Sequence, residues 1–211
     1  RRSARGQYAQ LSELLTATAA GLGEVRATAG EADLCRIGAA LRPKEGETVC
    51  GDTVVSFRTE GGLLCLLLAD GMGSGVKANI LSTLTAKILG TMFLNGATLE
   101  ECVETIMQTL PICQIRQVAY ATFSILQVFN NGEAYLVEYD NPRCIFIRDG
   151  EVIKIPRNTR VVQDKEINEF RFTVKKGDAL ILLSDGTIHA GVGKSMTFGW
   201  PWKDIAEFVV R

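Results

Sequence analysis

One histidine in 211 residues is too few for a multi-histidine zinc centre. None of the six cysteines (Cys35, Cys50, Cys65, Cys102, Cys113, Cys144) stand at C-x-x-C spacing. Cys65 and Cys102 occupy apolar positions of a predicted strand and helix, so buried, reduced thiols are expected, in a cytoplasmic setting. No segment approaches the ~18–20 uninterrupted apolar residues of a membrane span. With 23 basic against 24 acidic residues, a net charge of −1 offers no basic face for nucleic acid or membrane. Repeats, low-complexity tracts and a signal-peptide pattern are also missing. The chain begins Arg1-Arg2-Ser3 rather than with methionine, which reads as a piece of a longer protein.

What is present is 46% hydrophobic and 22% charged, enough for a globular domain with a sizeable core. Tyr8, Leu11, Leu14 and Leu15 predict a helix over 8–20, in a helical segment, 1–30, of linker or regulatory character. Strands are predicted over 33–40, 53–59 and 63–69, the last two joined by the Glu60-Gly61-Gly62 turn. Helical spacing of Val76, Ile80, Leu81, Leu84, Ile88, Leu89, Met92 and Phe93 follows, with Ser74 as N-cap. A second helix opens on the Thr98–Glu101 capping box and turns Leu99, Cys102, Val103, Ile106, Met107 and Leu110 inward. Short strands are then predicted at 118–129, 133–139, 143–148, 151–155, 169–175 and 178–184, and a last helix at 202–210. Their tight turns permit antiparallel pairing and forbid parallel crossovers. Residues 63–69 and 179–183 are apolar at nearly every position, so both faces of those strands should be covered. Two stacked antiparallel sheets flanked by helices, an α+β fold layered α-β-β-α, meet that demand.

The chemistry lies at the strand ends. Asp70 closes Leu-Leu-Leu-Ala-Asp-Gly and Asp185 closes Ile-Leu-Leu-Ser-Asp-Gly. Asp52 opens the strand that the 60–62 turn folds back, which brings it beside Asp70. Carboxylates forced together raise one another's pKa unless a cation neutralises them, and oxygen-only ligands select Mg²⁺ or Mn²⁺. Glycine after each aspartate lets the backbone turn, so a carbonyl such as that of Gly71 could face a metal. The plainer reading is that Asp-Gly only makes turns, as expected at Asp149-Gly150. The loop Gly71-Met72-Gly73-Ser74-Gly75 also invites comparison with phosphate cradles. Walker A fails because Val76 stands at the second glycine and Ala78 at the Ser/Thr position. The dinucleotide fingerprint fails at Val76, and the nucleophile elbow fails at Met72. His189, four residues after Asp185, is a candidate general acid or a surface residue. Arg143, Lys77 and Arg42 are candidate phosphate contacts or solvated charges.

Gly51-Asp52, Ala69-Asp70-Gly71-Met72-Gly73-x-Gly75 before a helix, and Leu183-Ser184-Asp185-Gly186 resemble the PP2C-type metal-dependent serine/threonine phosphatases. The bacterial branch typified by the stage II sporulation protein E phosphatase domain is the nearest match. The resemblance runs from about residue 33 to the C-terminus and implies a phosphatase domain over 31–211. It implies two Mn²⁺ or Mg²⁺ ions, with Asp70 bridging, Asp52 and the Gly71 carbonyl completing one site and Asp185 binding the other. Asp52, Asp70 and Asp185 would thus serve catalysis through the metals, a water held between them attacking a phosphoserine or phosphothreonine phosphorus in line. A regulatory phosphoprotein, such as an anti-sigma-factor antagonist, is the implied partner. The family's further C-terminal aspartate has no counterpart here, since Asp204 falls inside the last helix. The domain is therefore expected to lack its C-terminal end and to bind one ion better than two. A PP2C-fold binding module with weak or no turnover is the alternative, and an ATPase or kinase is disfavoured by the failed Walker A match.

Overall fold

In the computed structural model, residues 35–59, 61–109, 121–162, 165–193 and 198–211 are described. The helix expected over 8–20 and the expected strand residues 118–120 lie outside them, as do Leu110 and Cys113. The chain divides into two units, 1–42 and 43–211. In the first unit, residues 35–42 carry no regular secondary structure, against the strand expected over 33–40. Residues 35–40 alternate half-buried and exposed as an extended chain does, but no ladder partner among the described residues makes them a strand.

The second unit is built outward from a hairpin of β1 (Asp52–Arg58) and β2 (Leu64–Gly71). The Thr59 N–H donates to the Leu63 carbonyl at 3.0 Å and the Gly62 N–H to the Thr59 carbonyl at 2.9 Å. Gly62 sits at φ +81°, a left-handed value that favours glycine. With β3 (Ala121–Val128), β4 (Glu133–Tyr139), β7 (Asn158–Val162) and β8 (Lys165–Thr173), the hairpin makes a six-stranded antiparallel sheet in the order β1-β2-β3-β4-β8-β7. A second sheet is ordered β6-β5-β9, from β5 (Ile145–Arg148), β6 (Glu151–Ile153) and β9 (Ala179–Ile181).

Strand β7 was not expected, and β8 begins four residues before the predicted start at 169. The reason is local: the buried residues of β8, Ile167 and Phe170, face opposite sides of the strand, which blurs the alternation. Strand β9 also differs from expectation. It covers only Ala179–Ile181, partly exposed at the edge of the small sheet. Coverage on both faces belongs to β2, where six of eight residues are buried.

The helices are α1 (Gly75–Leu94), α2 (Leu99–Thr109), the short α3 (Asp185–Ile188) and α4 (Trp202–Val210). The capping box forms: the Thr98 N–H donates to Glu101 Oε2 at 2.7 Å, and the Glu101 N–H to Thr98 Oγ1 at 3.2 Å. Cys65, Leu67 and Ala69 of β2 share a core with Leu89 and Phe93 of α1, Cys102, Val103 and Ile106 of α2, and Phe123 and Ile125 of β3. Even-numbered residues of β2 to β4 look the other way, towards the small sheet. There Phe146 of β5 meets Phe172 of β8 at 5.3 Å between ring centroids. The outer face of the small sheet carries α4, which packs on β6. The order of layers is α-β-β-α.

The buried face of α1 is not the apolar stripe that the spacing suggests. Gly75, Ala78, Ser82, Thr85, Ala86, Leu89, Gly90 and Phe93 are buried, while Val76, Ile80 and Leu84 are exposed. Small residues face the sheet because the helix lies against the β1–β2 hairpin at short range. A Cβ on Gly71 would collide with the backbone of Ala78, and one on Gly51 would sit 3.0 Å from the Ala78 Cβ. Thr53 Oγ1 lies 2.7 Å from Ser82 Oγ, and Asn79 Nδ2 donates to the Cys50 carbonyl at 2.9 Å. Gly71→Ala is therefore expected to destabilise by about 2 kcal/mol or more through overpacking. Gly186→Ala, with only Ser184 Oγ at 3.8 Å, should stay within about 0.5 kcal/mol. Thermal melts of the two variants test the contrast.

Glu138, 2% exposed, lies between the sheets and accepts the Cys144 N–H at 2.6 Å. Burial pushes its carboxyl up to about 7, against the opposing pull of the Cys144 N–H, Arg143 and Arg157. A folded-state pKa above the unfolded 4.5 means that the folded chain binds this proton more tightly. The stability it contributes is complete below pH 4.5 and is lost as pH rises through about 7. Glu138→Gln should match the native chain near pH 4 and exceed it by about 1–3 kcal/mol near pH 8. Melting temperatures that stay equal at the higher pH would count against this account.

Candidate functional site

The hairpin register sets Asp52 directly opposite Asp70, and Asp70 opposite Thr122 of β3. The turn at 60–62 thus brings the two aspartates together as the sequence implies. Asp70 is half-buried at the end of an apolar strand. Its carboxyl is pushed up to about 8, by burial first and then by the charges of Asp52 and Asp185, with hydrogen bonds to both. Asp185 reaches this place from the other sheet, at the start of α3, three residues after Leu182 leaves β9.

Ser184 ties the sheets together here. It is buried, and its hydroxyl donates to Asp52 Oδ2 at 2.8 Å. The sequence presents it in Leu-Ser-Asp-Gly, but nothing in that motif announces a bond to a residue so distant in the chain. Among the described residues no three His, Cys, Asp or Glu side chains are grouped closely enough to hold a metal ion as they stand. Asp70 is the hub of the aspartates, interacting with each of the other two.

A fourth carboxylate stands nearby. Asp140 follows β4 at φ +52°, and its carboxyl is raised by partial burial and by the charge of Asp185, with Lys165 pulling the other way. Arg143, one of the candidate phosphate contacts in the sequence, follows in the same turn. Arg143 instead donates from Nη2 to the Ile155 carbonyl at 2.5 Å and lies over the Phe170 ring at 5.6 Å. Its guanidinium is engaged in packing. Lys77 is exposed in the first turn of α1, and Arg42 lies in the first unit. His189 is exposed after α3, its backbone N–H donating to the Asp185 carbonyl at 2.9 Å.

The glycine-rich loop is not built to receive a phosphate directly. Ser74 stands at the N-cap of α1, but its hydroxyl donates to Glu47 Oε1 at 2.8 Å. The Glu47 carboxylate lies so close to Gly75 that any side chain there would strike it. A carboxylate from the same chain therefore occupies the favourable electrostatic position at the helix start. The donor set of the aspartate cluster is oxygen only, concentrated negative charge of the kind that a hard divalent cation relieves.

The family model described as Stage II sporulation protein E matches residues 60–200. Stage II sporulation protein E of Bacillus subtilis (strain 168) is 26% identical over 162 residues, covering 71% of this chain and 18% of that protein. The Priestia megaterium protein of the same name is 23% identical over 156 residues, covering 72% and 26%. The chain thus spans about a fifth to a quarter of the length of the curated relatives it matches. Among solved structures, the PP2C phosphatase domain of SpoIIE from Bacillus subtilis, with a fragment of its regulatory domain, superposes with a TM-score of 0.62. It is 23% identical and is covered to 54%, against 82% of this chain. RsbX in complex with magnesium follows at 0.54, with 22% identity and coverage of 80% and 81%. The serine/threonine phosphatase of S. agalactiae, 17% identical, gives 0.53 with coverage of 80% and 87%. At these identities the structures speak for a shared fold. With the family model matching more than half of its length, the chain belongs to the Stage II sporulation protein E family and has the PP2C-type phosphatase fold.

Proposed function

We propose that residues 31–211 form a metal-dependent protein serine/threonine phosphatase domain, preceded by a segment over 1–30 of linker or regulatory character. The observation that carries this reading is the convergence of Asp52, Asp70 and Asp185 from three places in the chain, with Asp70 raised to about 8 by burial and then by the other two. Asp70, Asp52 and the Gly71 carbonyl would hold one Mn²⁺ or Mg²⁺ ion, and Asp185 would contribute to a second. When bound, the ions supply neutralisation of phosphoryl charge and a more acidic attacking water.

The chain's own residues provide the rest. Ser184 fixes one Asp52 oxygen by its hydroxyl. The β1–β2 ladder holds Asp52 and Asp70 in register, so that little reorganisation is needed when a phosphate ester arrives. Gly71 lets α1 press against the strand ends and support them from behind. The proposed substrate is a phosphoserine or phosphothreonine in a cytoplasmic regulatory protein, such as an anti-sigma-factor antagonist. Family membership supports that choice. Among the described residues no helix is long and apolar enough to cross a membrane.

Hydrolysis of para-nitrophenyl phosphate and of a phosphoserine peptide should require Mn²⁺ or Mg²⁺ and stop with EDTA. Asp70→Asn should lower the rate by roughly two to three orders of magnitude while the chain remains folded. A cation-independent rate, or one that survives the substitution, would overturn the assignment. A folded, metal-binding chain with no turnover would identify a binding module instead.

A further inference from the structure

We propose that Phe198 is a specificity-determining residue, one that meets an apolar side chain a few residues from the phosphoserine or phosphothreonine of a protein substrate, at the rim of the aspartate cluster. The proposal deepens the phosphatase reading above and rests on it.

Asp185 is exposed at the start of α3. The turn that follows keeps a helical path: the His189 N–H donates to the Asp185 carbonyl at 2.9 Å and the Val192 N–H to the His189 carbonyl at 3.2 Å. The chain comes back against this turn at Gly199 and Trp200. The Trp200 N–H donates to the Ile188 carbonyl at 2.7 Å. Gly199, at φ +78°, lies so close that a Cβ on it would collide with the same carbonyl and stand 3.2 Å from Val192 Cγ2. Ile188 is about one helical turn from Asp185. Phe198 directly precedes Gly199, so its backbone stands roughly 10 Å from that of Asp185.

Phe198 is 90% exposed, and Val192 beside Gly199 is 49% exposed. A single exposed apolar side chain is ordinary by itself. Here, however, the residues that follow it are anchored. Gly199 is buried, and Trp200, 3% exposed, packs edge-on against Phe208 of α4 with ring centroids 5.3 Å apart. The indole N–H of Trp202 donates to the Arg143 carbonyl at 2.6 Å. Phe198 is thus carried on a segment tied to α3, to α4 and to the turn before β5, so contact with it costs little ordering. Its place beside the cluster names the occupant. A phosphate held at the aspartates fixes the residue that bears it, and an extended chain advances about 3.3 Å per residue, so a side chain about three positions away arrives at Phe198. Near Asp185 an acidic side chain would be repelled, whereas an aliphatic one would remove apolar surface from water. Aromatic side chains commonly anchor protein contacts in this way.

Phosphoserine peptides with leucine scanned over roughly two to four positions on either side, each paired with its serine counterpart, test this on the full chain with Mn²⁺. The readout is the ratio of kcat/KM between leucine and serine peptides within one protein, so a variant that is merely less active does not imitate the effect. For the native chain one scanned position should give a ratio of about ten, carried by KM rather than kcat. Phe198→Ser should bring that ratio to within about twofold of one, and Phe198→Leu should keep most of it. Should Phe198→Ser not fold, Val192→Ser, which alters the adjoining apolar residue, is expected to lower the same ratio. A folded Phe198→Ser with the native ratio would overturn the proposal, as would a native ratio near one at every position. A native chain that sediments as a dimer and becomes monomeric with Phe198→Ser would put a second copy on this residue and likewise overturn it. Hydrolysis of para-nitrophenyl phosphate without any peptide preference overturns this proposal alone. Absence of cation-dependent hydrolysis of both substrates would overturn the phosphatase reading itself, and this proposal with it.

Discussion

Two carboxyl groups set side by side, which repel when both are ionised, are the constraint to which the rest of the unit answers. Residues directly opposite in an antiparallel ladder stand about 5 Å apart. At an effective dielectric near 20, unit charges at about that distance repel by roughly 3 kcal/mol. The β1–β2 register places Asp52 and Asp70 in that relation, and Asp185 adds its own charge. The arrangement is kept because the surrounding apolar core holds the ladder. β2 is buried on both faces, so slipping by one residue would turn its whole core set around.

The two sheets meet in a seam that carries aromatic side chains and, towards the aspartates, polar ones. Phe146, Phe170 and Phe172 fill the apolar part. Towards the aspartates the seam carries Thr122, Ser124, Glu138, Asn141 and Ser184, joined in pairs by hydrogen bonds or held to the backbone. Buried polar groups without partners would be costly, which accounts for how fully these are satisfied. The polar seam also gives the small sheet a defined position against the large one. A purely apolar contact between flat surfaces would specify that position less well.

Legibility in the sequence follows the range of the interaction. The 60–62 turn, the Thr98–Glu101 capping box and the apolar run of β2 depend on neighbours a few residues apart, and each could be read directly. The β1–β2 turn was enough to pair Asp52 with Asp70. Strand β7 was missed because its polar residues are held by ladder bonds and by the Arg160–Glu169 and Arg160–Glu100 ion pairs rather than by an apolar pattern, and the first half of β8 because its buried residues fall on opposite faces. The face of α1 was misread for a different reason. Val76, Ile80 and Leu84 look like a core stripe, but the close approach of Ala78 to Gly51 and Gly71 leaves room only for small side chains on the inner side.

By itself the sequence singled out Asp52, Asp70 and Asp185 as the candidate site residues. It also set the pairing of two of them and the alternation of elements that leads to stacked antiparallel sheets. Tertiary structure alone decided how Asp185 comes to the pair, with the Ser184 bond to Asp52 beside it, and that Arg143 is engaged by the Ile155 carbonyl and the Phe170 ring. Local hydrogen bonds and short turns are encoded over a few residues. Contacts between the two sheets depend on the packing of the whole unit, which no short stretch of sequence contains.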